Sequence, residues 1–258
     1  MSSQPLSAFT TDNLAVEIHP DKASLSQAAA DFVAEHIRAA IAERGSSRVI
    51  FATGASQYDF LAALCDAPEI DWGRVTAFHL DEYVGISADH PASFRRYLQE
   101  RLFSRLPFAA VHLLTGDAPD PVAECRRYAS LLTAAPIDVA CVGIGENGHL
   151  AFNDPPADFY TTAAVHVVEL DEACRQQQVG EGHFPSLAAV PPQALSMTVP
   201  AILDAKVISC VVPDARKAGA VRGTLEGPID PTCPASALRT HPRCRLYLDS
   251  ASAGQLSR

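Results

Sequence analysis

The sequence predicts an α/β fold: a doubly wound, mostly parallel β-sheet with helices on both faces, in a single domain covering residues 1–258. Three observations point to it. Short apolar runs of strand length alternate with amphipathic stretches along the whole chain. No internal repeat or low-complexity tract interrupts that alternation. Hydrophobic residues make up 48% of the 258 positions, enough to cover both faces of such a sheet.

The elements follow in order. A helix is expected from about Asp21 to Arg44, where Phe32, Val33, His36, Ile37, Ala40 and Ile41 recur at helical spacing. Val49–Ala52 reads as the next strand, and Thr53-Gly54-Ala55-Ser56 as the turn that opens another helix. Further strands are expected at Val75–Leu80, Val139–Ile144, Val165–Leu170, Val207–Val212 and Arg245–Leu248. Helical patterns such as Phe94–Phe103 and Pro121–Leu132 separate them. The stretch from Asp154 to Pro192 is the least regular, with Pro155, Pro156, Pro185, Pro191 and Pro192 and the pair Gly180 and Gly182. It reads as an active-site lid at about 155–192 rather than as a second domain.

A net charge of −10 and a pI near 5.3 argue against nucleic acid or a membrane surface as partner, because both attract clustered Lys and Arg. A small anionic substrate would need a few well-placed cations, and lysine is scarce, at Lys22, Lys206 and Lys217. The 7 cysteines form no C-x-x-C pair, and two of them lie in apolar strand-like runs, which reads as reduced thiols in a cytoplasmic protein. Met1–Thr11 lacks the basic start and apolar run of a signal peptide, and no segment is long and apolar enough to span a bilayer.

In open parallel sheets ligands bind beyond the carboxyl ends of the strands, so the residues after each strand carry the functional reading. Thr53-Gly54-Ala55-Ser56 offers free backbone N–H groups at a helix start, suited to a phosphate, although a strand-to-helix turn needs small residues in any case. Asp81 and Glu82 end a strand, where partial burial would raise a carboxyl pKa toward the range of a general base; a solvated acidic loop is the plainer alternative. Asp214 is expected to cap a helix running to about Glu226, which puts Lys217 in the first turn, against the helix dipole. A lysine so placed is either a phosphate ligand or a solvated side chain.

Gly143-Ile144-Gly145-Glu146-Asn147-Gly148 contains the G-x-G-x-x-G pattern of dinucleotide sites. Pro155 and Pro156 leave little room for the long helix that pattern requires, so the glycines are read instead as a sharp turn presenting His149 and Asp154 to a ligand. A histidine between a glycine turn and a carboxylate has the orienting partner that acid/base chemistry needs.

Leu80-Asp81-Glu82-Tyr83-Val84-Gly85 followed by Gly143 to Pro155 resembles the glucosamine-6-phosphate deaminase family, and so do Asp89-His90-Pro91-Ala92-Ser93-Phe94, Ala194-Leu195-Ser196-Met197-Thr198 and Pro234-Ala235-Ser236-Ala237-Leu238. The resemblance runs from roughly residue 15 to 252 and implies a Rossmann-like fold of the sugar-phosphate isomerase/deaminase type. It implies that Asp81 moves a proton between C2 and C1, that His149 helps open the sugar ring, and that Asp154 stands where a glutamate usually supports that histidine. It places Asn147 where some members carry an aspartate beside the histidine, and Glu82 among the substrate-binding residues. Thr53, Gly54, Ala55, Ser56 and Lys217 would hold the phosphate. The implied reaction turns an aldose phosphate into a ketose phosphate with loss of ammonia, and needs no metal, nucleotide or Schiff-base lysine.

In Cys174-Arg175-Gln176-Gln177-Gln178-Val179-Gly180-Glu181-Gly182-His183-Phe184 the arginine that members place before an aromatic pair has no direct counterpart, and Arg175 is the candidate substitute. The family includes monomers and hexamers, which leaves a homo-oligomer open. Rival readings are a 6-phosphogluconolactonase-like hydrolase, an enzyme for another amino sugar such as galactosamine 6-phosphate, and a sugar-phosphate sensor without turnover. The Leu80-Asp81-Glu82-Tyr83 motif favours the deaminase over the hydrolase, and the absence of a basic N-terminal module disfavours a DNA-bound sensor.

Overall fold

A computed structural model describes residues 4–180, 182 and 184–257, without the side chains of residues 173 and 177. The chain opens with strands β1 (Ser7–Thr11) and β2 (Leu14–His19), then helix α1 (Lys22–Arg44), β3 (Ser47–Phe51), α2 (Tyr58–Cys65), β4 (Val75–His79) and β5 (Asp81–Tyr83). It continues through α3 (Phe94–Leu98), β6 (Ala110–Val111), α4 (Pro121–Leu132), β7 (Val139–Val142), β8 (Val165–Glu169) and α5 (Glu172–Gly180). β9 (Gln193–Met197), α6 (Val199–Leu203), β10 (Val207–Val212), α7 (Ala218–Glu226) and β11 (Cys244–Asp249) complete it. No described helix is long and apolar enough to cross a membrane.

The main sheet has the order β1-β2-β11-β10-β7-β3-β4-β6, and every pairing except the β1–β2 hairpin is parallel. Side chains alternate across it as the pleat requires. Ile50, Phe78, Ala140, Val142, Cys210 and Leu246 pack on one face with Tyr128 of α4, Ile202 of α6 and Val221 of α7. Val49, Phe51, Ala77, Val139, Cys141 and Tyr247 pack on the other with Leu25, Val33 and Ile37 of α1 and Phe60 and Leu64 of α2. This is the expected doubly wound sheet.

The helix read from Asp21 to Arg44 is α1, and its ends show why it starts and stops there. Asp21 accepts the Ser24 N–H at 2.8 Å as N-cap, and Gly45, at φ 80°, closes the last turn by donating to the Ile41 carbonyl. The N-terminal hairpin was not expected from sequence, and two expectations are corrected. Val165–Leu170 does not join the parallel sheet; as β8 it pairs antiparallel with β9, which also pairs antiparallel with β5. Asp81 and Glu82 do not end β4, which stops at His79, but begin β5 of that second, three-stranded sheet. Tyr83, Phe94, Phe152 and Phe184 fill the space between this small sheet and α5.

Candidate active site

Three loops leave the carboxyl ends of β3, β7 and β10 and meet over Gln57. Its side-chain amide donates to Ser56 Oγ at 3.0 Å and to the Val211 carbonyl at 3.2 Å, and a Cβ on Gly143 would stand 3.0 Å from that nitrogen. A glycine at 143 therefore lets the middle loop close on the other two.

The first loop, Thr53 to Ser56, turns at Gly54 with φ 97° and enters a 3-10 turn, Ala55–Gln57, that leads into α2. The turn has no side-chain cap, and while the N–H groups of Gln57 and Tyr58 donate back to the Gly54 and Ala55 carbonyls, those of Ala55 and Ser56 are available to an anion in the cavity. Tyr97 Oη donates to the Gly54 carbonyl at 2.8 Å and fixes that peptide.

Asp81 is buried, and its side chain reaches the same cavity from the small sheet. Burial, reinforced by the neighbouring Glu82 charge, pushes its carboxyl up to about 8. In the third position, the His149 ring lies flat on Gly145, where a Cβ would come within 2.2 Å of it. Asn147 bridges this loop: its Oδ1 accepts the His149 N–H at 3.1 Å and its Nδ2 donates to Asp154 Oδ1 at 2.9 Å. His149 Nδ1 sits 3.1 Å from the same Asp154 oxygen, an ion-pair distance without aligned hydrogen-bond geometry. Burial opposes ionisation of Asp154, but the contacts from His149 and Asn147 outweigh it and hold the carboxyl below its usual range. Gly148 has φ 88° and opens no helix, so the G-x-G-x-x-G run is the sharp turn expected, not a dinucleotide loop.

Thr53, Gly54, Ala55, Ser56, Asp81, His149 and Lys217 thus line one cavity of about 310 Å³. Asn147 and Asp154 stand behind His149 as its support.

The model of the family described as glucosamine-6-phosphate isomerases/6-phosphogluconolactonase matches residues 20–246. The chain belongs to this family. It is 40% identical to a glucosamine-6-phosphate deaminase of Exiguobacterium sp. over 72% of each chain. To the glucosamine-6-phosphate deaminase of Listeria innocua it is 38% identical over 80% of this chain and 86% of the relative. A solved structure of a monomeric glucosamine-6-phosphate deaminase superposes with a TM-score of 0.86 at 34% identity, covering 93% of this chain and 99% of that one. A 6-phosphogluconolactonase from Thermotoga maritima shares the fold, with a TM-score of 0.75 at 17% identity over 92% of this chain and 99% of that one.

Within this family fold, three sequence expectations are corrected. Glu82 does not face the cavity, because adjacent strand residues point to opposite sides. Fully buried, it accepts from Ser93 Oγ at 2.7 Å, from the N–H groups of Phe94 and Arg95, and from Arg95 Nε at 3.1 Å. Arg175 does not reach the cavity either: its guanidinium donates to the carbonyls of Leu187 at 2.7 Å and Val190 at 3.1 Å. Asp214 makes no capping bond; it adopts φ 82° at the cavity wall, and its N–H donates to Asp249 Oδ2 at 3.1 Å. Glu181 and His183 of the expected lid lie outside the described residues.

The sequence reading missed Arg216, Tyr58 and Gln178 on the cavity wall. Arg216 lies in the Asp214-Ala215-Arg216-Lys217 run, and the scarcity of lysine drew attention to its neighbour instead. Gln178 comes from α5, where Arg175 drew attention and one amide in a run of three glutamines did not.

Proposed function

We propose that the protein converts glucosamine 6-phosphate, or a closely related hexosamine 6-phosphate, and water to fructose 6-phosphate and ammonia, with neither metal nor organic cofactor. The observation that supports this best is the meeting of a buried carboxyl, Asp81, an anion-binding loop and a carboxylate-backed histidine in one cavity.

The phosphate sits on the backbone N–H groups of the Thr53–Ser56 loop, opposite the Lys217 ammonium. His149 moves the proton between the ring oxygen and the C1 hydroxyl as the O5–C1 bond breaks, leaving an aldehyde at C1. Asp154 faces the imidazole Nδ1 during that transfer, and Asn147 fixes Asp154 and the His149 backbone in place. The Asp81 carboxylate then takes the C2 proton and returns it to C1, while the 2-ammonium group gives up one proton to the C1 oxygen, so that C1 becomes an alcohol carbon and C2 an iminium carbon. Water adds there, and ammonia leaves to give the ketone. Asp81 suits this step because burial brings its pKa close to neutrality, which makes the carboxylate a stronger base than an exposed aspartate.

The segment 155–192 acts as the cover of the site, with Gln178 and Gly180 of α5 at the cavity wall, and the enzyme works in the cytoplasm. The test is product analysis with glucosamine 6-phosphate, galactosamine 6-phosphate and 6-phosphogluconolactone, following ammonium, ketose phosphate and acid. Ammonium and ketose phosphate in equal amounts from one hexosamine phosphate are expected. Acid from the lactone with no ammonium from either amino sugar would replace this reading with the hydrolase.

A further inference from the structure

Arg216 lies on the cavity wall beside Lys217, in the 3-10 turn Ala215–Lys217 that precedes α7. Its guanidinium rests on a residue of the neighbouring loop after β7, with Nη1 3.5 Å from Glu146 Oε1. That contact is long and wet, since the Arg216 side chain is 58% exposed and Glu146 is 35% exposed. An ion pair of this kind contributes little stability and is readily exchanged for a better anion.

The cavity supplies the reason to exchange. Asp81 and Asp214 bring carboxyl groups to the same wall, and a sugar phosphate adds a dianion. Among the described lining residues the guanidinium and ammonium cations are those of Arg216 and Lys217. Arg175, on the covering helix, is already committed to the carbonyls of Leu187 and Val190. The Gln57 bridge from Ser56 to Val211 ties the anion-binding loop to the end of β10, the strand that leads into Arg216. A guanidinium presents a planar fork of donors that matches two phosphate oxygens at once, a contact one Glu146 oxygen at 3.5 Å does not use.

We infer that Arg216 is a ligand of the substrate phosphate, a role for which it exchanges its contact with Glu146. The identity of the sugar rests on the proposed function; the phosphate contact does not. Glu146 is then a competitor that sets how readily Arg216 is released, and removing its charge should act opposite to removing the arginine.

Two measurements on the wild type, Arg216→Gln and Glu146→Gln test this. The first is calorimetric titration with inorganic phosphate, and the second is steady-state kinetics with glucosamine 6-phosphate. Arg216→Gln is expected to weaken phosphate binding and raise KM by about tenfold or more, as loss of a charge-assisted bidentate contact does, with a smaller change in kcat. Glu146→Gln is expected to tighten phosphate binding and lower KM, a direction that mere loss of a surface ion pair would not give. The inference is overturned if Arg216→Gln binds phosphate as the wild type does, if Glu146→Gln weakens binding, or if the wild type binds no inorganic phosphate. If the wild type releases no ammonium while the titrations still separate the variants as expected, the proposed function fails and the role of Arg216 stands.

Discussion

His149 can lie flat on residue 145 only because that residue has no side chain, with a Cβ there falling within 2.2 Å of the ring. Gly145→Ala should therefore displace the imidazole and cost about 100-fold or more in kcat, the scale of a lost general acid–base group, while thermal melting moves little. Kinetics beside a melting curve check this; a variant as active as the wild type would show that the ring does not work from this position. Asp81 sets a second expectation. With its carboxyl pushed up to about 8, the basic form grows as pH rises, so kcat/KM should climb through an ionisation near that value. A profile flat from pH 6 to 9 would contradict it. His149 and Lys217 were legible because strand ends in a parallel sheet converge on one edge, and Asp81 because it lies just beyond the end of β4. Glu82 was not, since its direction depends on the strand resuming at Asp81, and the sequence does not show where pairing restarts. Arg175 was misplaced for a similar reason: helical position fixes a face, and here that face turns to Leu187 and Val190.

The small sheet of β5, β9 and β8 is what carries Asp81 to the cavity, and a buried charge cluster anchors it. Arg95 bonds Glu82 at 3.1 Å, Asp117 at 2.8 Å and the Ile86 carbonyl at 2.7 Å. Removing one partner of a buried pair leaves the other charge uncompensated, so Arg95→Ala should cost about 3–5 kcal/mol of stability. Arg96→Ala, next along α3 and 41% exposed in its pair with Glu100, should cost no more than about 1 kcal/mol. Denaturant unfolding of both variants checks the contrast, and equal losses would contradict it. The parallel strands β3, β4, β7, β10 and β11 could be read because each is a compact apolar run buried on both faces. β9 begins just after Pro191 and Pro192, and the alternation of β8 does not reveal which sheet it joins.

Across the whole molecule, the same burial that tunes Asp81 costs stability. The folded state keeps its proton up to about pH 8, whereas the unfolded chain releases it near 3.8, so the folded state binds more protons between those values. Stability from this group is present below about pH 4 and is lost as pH rises to about 8. Asp81→Asn should accordingly melt above the wild type at pH 8, with the difference shrinking toward pH 4; an unchanged difference would contradict the burial argument. His79 acts in the other direction: burial, with the Arg95 charge, pushes it down to about 3, so its contribution is present above pH 6.5 and fades as pH falls toward 3. The sequence showed that a large core forms, but not the depth at which each titratable group lies within it. In the proposed function Asp81 is the proton carrier of an amino-sugar phosphate deamination. The most direct measurement is ammonium release from glucosamine 6-phosphate by the wild type and by Asp81→Asn, with binding of the sugar phosphate followed in parallel. Turnover in the wild type, lost by about 1,000-fold or more in a variant that still binds, is the expected result for removal of an essential base. An Asp81→Asn protein that still releases ammonium at a comparable rate would contradict the account.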